Sequence, residues 1–475
     1  MPDVTMRALD GTETTIDADA VAELDERVAG ELLNPDSPAY DEVRAIWNAM
    51  IDRRPGLIVR CADADDVVKA VKFAREHGLL VSVRGAGHNI AGNAVSDGGL
   101  MIDLSDMRSV EVDAAAATAR VAPGATLGDV DAATQAHGLA LPVGINSTTG
   151  IAGLTVGGGF GWLTRKYGLT IDNLISADVV TSSGERLTAS EKENPDLFWG
   201  IRGGGGNFGI VTSFEFGLHP VGPDLLSGLI VHPFADAPDV LRAYREFVAS
   251  APDELSAWVV LRKAPPLPFL PEDVHGTEVL VIATVYAGEV AEGERAMKGL
   301  REIGDPIADV IAPQPFAAFQ QAFDPLLTPG ARNYWKSHDF TELSDDLIGV
   351  VLEYVRELPT EQCEIFMAHL GGAASRVPAD ATAYTHRDAE FIMNVHTRWD
   401  EPKDDKKCVA WAREFFERSA RFATGGVYVN FMPDDEANRV TDAYGPNYQR
   451  LVELKDKYDP DNFFRLNQNI QPTAA

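Results

Sequence analysis

Three glycine-rich segments constrain this chain more than any other feature: RGAGHNIAG at 84–92, GIAGLTVGGGFG at 150–161 and RGGGGNFG at 202–209. Without a Cβ, glycine lets backbone N–H groups turn inward and approach a ligand closely. Several such groups in succession form a concavity that binds anions. One such loop can be no more than a tight turn. Three in one chain, two of them bordered by strand-like sequence, point to a long ligand carrying a pyrophosphate. A Rossmann site is the first alternative, because Gly204, Gly206 and Gly209 fit G-x-G-x-x-G. That fingerprint must open a helix, and here it runs into IVTSFEF, which reads as a strand. No Walker lysine follows any of the three loops.

The surrounding sequence is organised as a globular protein of two or three domains, the expectation for 475 residues. The first fifty residues read as a helical lead-in, with AVAELDERVAGELL at helical spacing before NPDSP breaks it. LIVRC reads as a strand, DADDVVKAVKFAREHG as a capped amphipathic helix ending at Gly78, and LLVSVRG and LMIDLS as further strands. A second helix is expected near ATLGDVDAATQAHG, and two strands in DNLISADVVTSSGERLTA, joined at Ser183-Gly184. Glycine becomes sparser after about Pro220. The stretch to about residue 420 mixes strands such as EVLVIATVYAG with helices such as DDLIGVVLEYVREL, and the proline-rich KAPPLPFLPEDVHG reads as an exposed loop. The tail reads as a helix stopped by Asp459-Pro460 and followed by an extended segment.

Charge and cysteine content exclude several function classes. The formal net charge of −31 repels phosphate backbones and anionic lipid, so neither nucleic acid nor an anionic membrane is an expected partner. The polar, acidic start has no signal-peptide character and no apolar run is long enough to span a bilayer. The expected location is therefore cytoplasmic. Cys61, Cys363 and Cys408 are scattered, which excludes a disulfide framework and argues against a structural zinc site. His369, His386 and His396 lack ligand-like spacing, so no metal is expected, although His396 in NVHTRW could face substrate.

His88 lies inside the first glycine loop, where backbone would cradle a cofactor. An imidazole nitrogen is a nucleophile near neutral pH and could attack an electrophilic carbon of a bound flavin. With VAPGATLGDV, LPVGINSTTGIAGLTVGGGFGWLTRKYGLTIDNL, RGGGGNFGIVTSFEF, YVNF and YDPDNFFRLNQNI following VRGAGHNIAG in order, the chain resembles the berberine-bridge-enzyme-like FAD-linked oxidases of the vanillyl-alcohol-oxidase type. The resemblance runs from about residue 50 to the C-terminus. It implies an α+β, two-domain fold: a PCMH-type FAD-binding domain in 1–220 (core about 51–220), a substrate domain in 221–420 built as an antiparallel sheet covered by helices, and a C-terminal segment, 421–475, completing the FAD domain.

The resemblance further implies FAD carried on His88, with the Arg84, Gly85, Ala86, Gly87, His88, Asn89 loop against the pyrophosphate. It places Gly150, Gly153, Gly157, Gly158 and Gly161 along the cofactor, and Gly209, Ile210 and Val211 beside it. Many relatives attach the flavin a second time through a cysteine in G-x-C-P-x-x-G. The corresponding segment reads GINSTTG, with Asn146 in the cysteine's place, so a single covalent bond is expected. Thr149 stands at the position that gates oxygen in the family.

Oxidising a C–H bond by hydride transfer to a flavin requires a base for the neighbouring O–H or N–H proton. Tyr428 and Asn430 of YVNF are the family-like candidates, facing one cavity if the segment is a strand. A tyrosine serves as base only with a cation nearby. Lys336 of NYWKSHDF is the candidate cation, with Tyr334 on its face. Asn467 and Gln468 of RLNQNI are expected near flavin or substrate. The reading is of an FAD-linked oxidase acting on a small alcohol, sugar or cyclic amine, with oxygen as acceptor and a homodimer as the default assembly. A dehydrogenase using another acceptor and a non-catalytic flavin carrier are the alternatives.

Overall fold

The chain folds around two sheet systems, seen in a computed structural model that describes residues 3–474. The first begins with a four-stranded sheet in the order Glu31–Leu33, Leu57–Arg60, Leu100–Asp103, Val81–Arg84, its last three strands parallel. The crossover helix Ala64–Glu76 is capped by Asp63, whose side chain accepts from the N–H groups of Asp65 and Asp66. Its apolar stripe buries Val67, Ala70, Val71 and Ala74 completely, and Gly78 ends it at a φ of 61°, a conformation a side chain would strain. A five-stranded antiparallel sheet follows, in the order Arg186–Ser190, Leu174–Val180, Ile210–Gly217, Thr118–Val121, Val110–Asp113. The strand Ile210–Gly217 directly after the third glycine loop removes the Rossmann alternative.

The second system is an eight-stranded sheet whose pairings are antiparallel. Helices Ala237–Val248, Val290–Arg301, Asp345–Val355 and Asp405–Ser419 cover one face, burying Tyr244, Met297, Val351 and Phe415 against it. A strand places alternate residues on opposite faces, so every second residue is left facing the glycine loops. The tail returns to the first system. Lys455, fully buried, donates to Asp459 (2.6 Å), the Phe464 carbonyl (2.9 Å) and the Asn207 carbonyl of the third glycine loop (3.0 Å).

Two local expectations are corrected. The N-terminal fifty residues are not simply helical: Val4–Arg7 pairs with Glu13–Ile16 in a hairpin, and Glu31–Leu33 joins the first sheet. Only Met6 and Ile16 of the hairpin are deeply buried, too few apolar positions to show a period of two. The proline-rich stretch 264–276 is not uniformly exposed. Ala264 and Leu270 bury against Val231 and Val279, so the loop packs against the edge of the second sheet.

The two systems meet at a buried polar joint. Gln320 donates through Nε2 to Asp131 Oδ2 (3.1 Å) and to the Gly144 carbonyl (3.3 Å). Asp131 Oδ1 has no partner among the described residues. Burial pushes this carboxyl up to about 7, opposed in part by the Gln320 hydrogen bond and reinforced by Asp324.

Candidate active site

A cavity of about 400 Å³ lies between the glycine loops and the open face of the second sheet. The first loop contributes Gly85 to Asn89, the second Gly150 and Gly153, and the third Gly205, Gly206 and Gly209 with Ile210 and Val211. The N–H groups of residues 86–90 donate to no protein acceptor among the described residues. A Cβ on Gly153 or Gly206 would meet no protein atom within 4 Å, so both open onto the cavity. Asn467 and Gln468 line it from the tail, with Asn467 Oδ1 unpartnered. Free amides in succession and a floor without side chains fit a long ligand carrying a diphosphate, and the unpartnered Asn467 oxygen fits an N–H or O–H donor elsewhere on it.

Four expected contacts are corrected. Gly157, Gly158 and Gly161 do not open onto the cavity; they permit close packing behind it. A Cβ on Gly157 would overlap the Asn430 amide, one on Gly161 would overlap the Val143 carbonyl, and one on Gly158 would come within 3.1 Å of the Tyr384 ring. Arg84 ends its strand with the side chain turned to Asp103, 3.3 Å away, because a buried carboxylate needs a partner.

His88 is stacked on Trp47, with centroids 5.1 Å apart at 22°. Its Nε2 lies 2.9 Å from Thr148 Oγ1. The Thr148 hydroxyl donates to Asn146 Oδ1 (2.8 Å), which also accepts from the Thr148 N–H (3.0 Å) and so must be the amide oxygen. Thr148 therefore accepts from His88, which fixes the proton on Nε2 and leaves the Nδ1 lone pair free. Burial pulls the imidazole down to about 3, which favours the neutral ring.

Tyr428 and Asn430 both reach the cavity, though not from a strand: Val429–Phe431 is a turn of 3₁₀ helix. The Tyr428 hydroxyl accepts from the Gly159 N–H (3.1 Å) and from Asn430 Nδ2 (3.0 Å). Burial pushes its pKa up to about 12, with those two hydrogen bonds opposing. The expected cation is elsewhere. On strand Arg332–Phe340 it is Trp335 that lines the cavity, so Lys336 and Tyr334 point to the helix-covered face. There Lys336 bonds Glu436 (3.0 Å) and Asp435 (3.3 Å), and Tyr334 bonds Asp435 (2.8 Å) and Arg413 (3.0 Å). The lysine and tyrosine share a face as the alternation requires, but it is the face away from the site.

The sheet ceiling is mostly apolar, with Val231, Val260, Val281 and Phe366 among its side chains. One row differs. Arg262, Glu364, His396 and Trp335 are successive cross-strand partners, and all four face the cavity. Sequence reasoning singled out only His396 from this row, since nothing local marks Arg262 or Glu364; the register alone joins them.

Residues 55–190 match the FAD binding domain family and residues 427–471 the berberine and berberine like family. An FAD-linked oxidoreductase of Dictyostelium discoideum is 33% identical over 457 residues, covering 95% of this chain and 97% of the relative. The chain belongs to the berberine-bridge-like FAD-linked oxidoreductases. It is accordingly an FAD-linked oxidoreductase, and FAD is the cofactor that the glycine loops fit. Two solved members of this fold are 6-hydroxy-D-nicotine oxidase from Arthrobacter nicotinovorans and xylooligosaccharide oxidase from Myceliophthora thermophila C1 in complex with xylobiose. The first superposes with a TM-score of 0.84 at 29% identity over 94% of this chain and 98% of that one. The second gives 0.83 at 26% over 96% and 100%.

Proposed function

We propose that this enzyme carries FAD on one covalent bond to His88 and oxidises a small, largely apolar alcohol or cyclic amine, with oxygen as the electron acceptor. The observation that carries the covalent bond is the Asn146, Thr148, His88 relay. It presents a neutral imidazole with an unprotonated Nδ1, which is the form a nucleophile needs. Asn146 occupies the position where relatives keep a second attachment cysteine, and an amide cannot make that bond.

Bound FAD supplies the acceptor for a hydride from the substrate carbon and the route from there to oxygen. The protein's part is orientation. Tyr428, neutral up to high pH, donates to a substrate oxygen, while Gly159 and Asn430 hold the ring in place. It is not the base expected from sequence, because no cation among the described residues lowers its pKa; an amine needs none, since its own lone pair takes up the charge as the hydride leaves, whereas an alcohol's O–H proton would pass to solvent. Phe160 and Phe431 pack edge-on against Tyr428 at 4.9 Å and keep water from it. The apolar ceiling favours a flat hydrocarbon body over a sugar, whose many hydroxyls would go unpaired.

Acid-precipitated protein tests the first claim. A yellow pellet that turns colourless in His88→Ala supports it, and a colourless wild-type pellet overturns it. Anaerobic bleaching with candidate amines and alcohols, followed by peroxide release on admitting air, tests the rest. Bleaching without peroxide would make the enzyme a dehydrogenase.

A further inference from the structure

A run of buried polar atoms leads away from the cavity along the second sheet. Asn394 lines the cavity and leaves Oδ1 without a partner among the described residues. Ser337 stands directly opposite it on the neighbouring strand, fully buried and with Oγ free. Asp339 follows two residues on, on the same face, fully buried with both carboxylate oxygens free. Buried atoms of this kind are ordinarily satisfied by protein or by ordered water. Same-face neighbours on a strand are about 7 Å apart, a gap that a bridging water spans.

At the far end Asp339 meets His386. The imidazole Nε2 lies 3.0 Å from the carbonyls of both Asp442 and Ala443. Carbonyls only accept, so Nε2 carries a proton and Nδ1 is the atom that gains or loses one. A Cβ on Gly426 would lie 2.5 Å from His386 Nδ1 and 2.9 Å from Asp339 Oδ2, so it is the glycine that leaves the two facing each other. His386 is half-buried, and a cavity of about 10 Å³ beside it and Tyr384 has room for about one water. Burial raises the Asp339 carboxyl to about 6, with His386 and Arg439 opposing and Asp388 adding. Burial, reinforced by Asp339, raises the Tyr384 hydroxyl well above its ordinary value, so that hydroxyl stays protonated. Asp339 is thus a carboxyl able to take up and release a proton near neutral pH.

We propose that a file of buried water runs from the cavity past Ser337 to Asp339, and that His386 joins it to solvent as a proton outlet. An alcohol that gives a hydride to bound FAD becomes a carbonyl compound and releases the proton of its hydroxyl. That proton crosses the file, turns the Asp339 carboxylate into the acid, and leaves through His386 Nδ1. This use of the outlet rests on the flavin-dependent oxidation proposed above; the outlet itself is built from the protein alone.

A crystal structure of the purified protein and infrared spectra of the same sample test the outlet without any substrate. Ordered water should bond Ser337 Oγ and Asp339. A carboxylic-acid C=O band should disappear with a midpoint of about pH 6 and should be missing in Asp339→Asn. On mixing with D2O that band should shift at once in wild type, and at least ~10-fold more slowly in Gly426→Ala, whose methyl parts His386 from Asp339. Ser337→Val displaces the water and should slow anaerobic flavin bleaching by an alcohol at least ~10-fold, while dithionite bleaches it at the wild-type rate. Dry Ser337 and Asp339, a band unchanged in Asp339→Asn, or equal exchange in Gly426→Ala and wild type would each overturn the proposal. A colourless protein, or a flavin-loaded one that no alcohol bleaches, would overturn the functional reading instead, and the water and the band would still decide the outlet.

Discussion

Replacing Asp131 with asparagine should stabilise the protein, and more so as pH rises. In the folded state burial holds this carboxyl at about 7, against about 3.9 in an unfolded chain. A raised pKa means that the folded state keeps a proton the unfolded state has lost. Stability from this group is full below about pH 4 and declines as pH climbs to about 7, beyond which the loss is complete. Each pH unit in that window costs about 1.36 kcal/mol, so the span from pH 5 to 7 costs about 2.7 kcal/mol for a fully buried group.

The asparagine side chain has no acidic proton to lose, and its oxygen can still accept from Gln320. A chain of this length unfolds with an entropy of about 1 kcal/mol/K, taking about 2.1 cal/mol/K per residue, so 2.7 kcal/mol corresponds to about 3 °C. The Tm difference between Asp131→Asn and wild type should therefore widen by about 3 °C from pH 5 to pH 8, measured by differential scanning calorimetry. A difference that stays constant with pH would show that Asp131 is ionised in the folded protein and that the buried joint is described wrongly.

Thr148→Val removes the acceptor that holds the His88 proton on Nε2. The loss of about 1 kcal/mol should slow covalent flavin attachment about 5-fold, followed as flavin fluorescence retained on denaturing gels, with Thr148→Ser restoring the rate. Tyr428→Phe leaves the Gly159 N–H without its acceptor and removes a donor to substrate. Anaerobic flavin reduction should slow about 100-fold while covalent flavin is retained; an unchanged rate would remove Tyr428 from the site. Lys336→Met should act on stability alone. Breaking a buried pair costs about 3 kcal/mol, here at the low end because Glu436 keeps Arg439 at 2.9 Å. Reduction kinetics should match wild type, and a large kinetic defect would return Lys336 to the catalytic machinery.

The features legible in the sequence share a physical cause: each is local. The glycine loops, the helix Ala64–Glu76 with its cap, and the strand that follows the third loop all declare themselves within ten or so residues. His88 was visible because it sits inside such a loop. What was not legible depends on register and on which face of a strand looks inward. Lys336 and Trp335 are neighbours, and sequence alternation separates their faces without saying which one meets the cavity. Helix Asp405–Ser419 decides it by covering the lysine. Arg262, Glu364 and His396 come from three strands and become a unit only through pairing. Tyr428 and Asn430 reached one cavity for a reason other than the one expected, a 3₁₀ turn instead of a strand.

The buried Lys455 binds the segment 459–464 to the third glycine loop, and this has a consequence for how the enzyme is made. Phe464, Leu466, Asn467 and Gln468 wall the cofactor cavity, yet a ribosome produces them after every other residue that touches it. A nascent chain can shape the loops around His88 and Gly206 early, but it cannot close them. Flavin capture, and any bond to it, must therefore wait until these residues have been made. A message cut just short of Phe464 would give a product that lacks this wall and does not retain flavin.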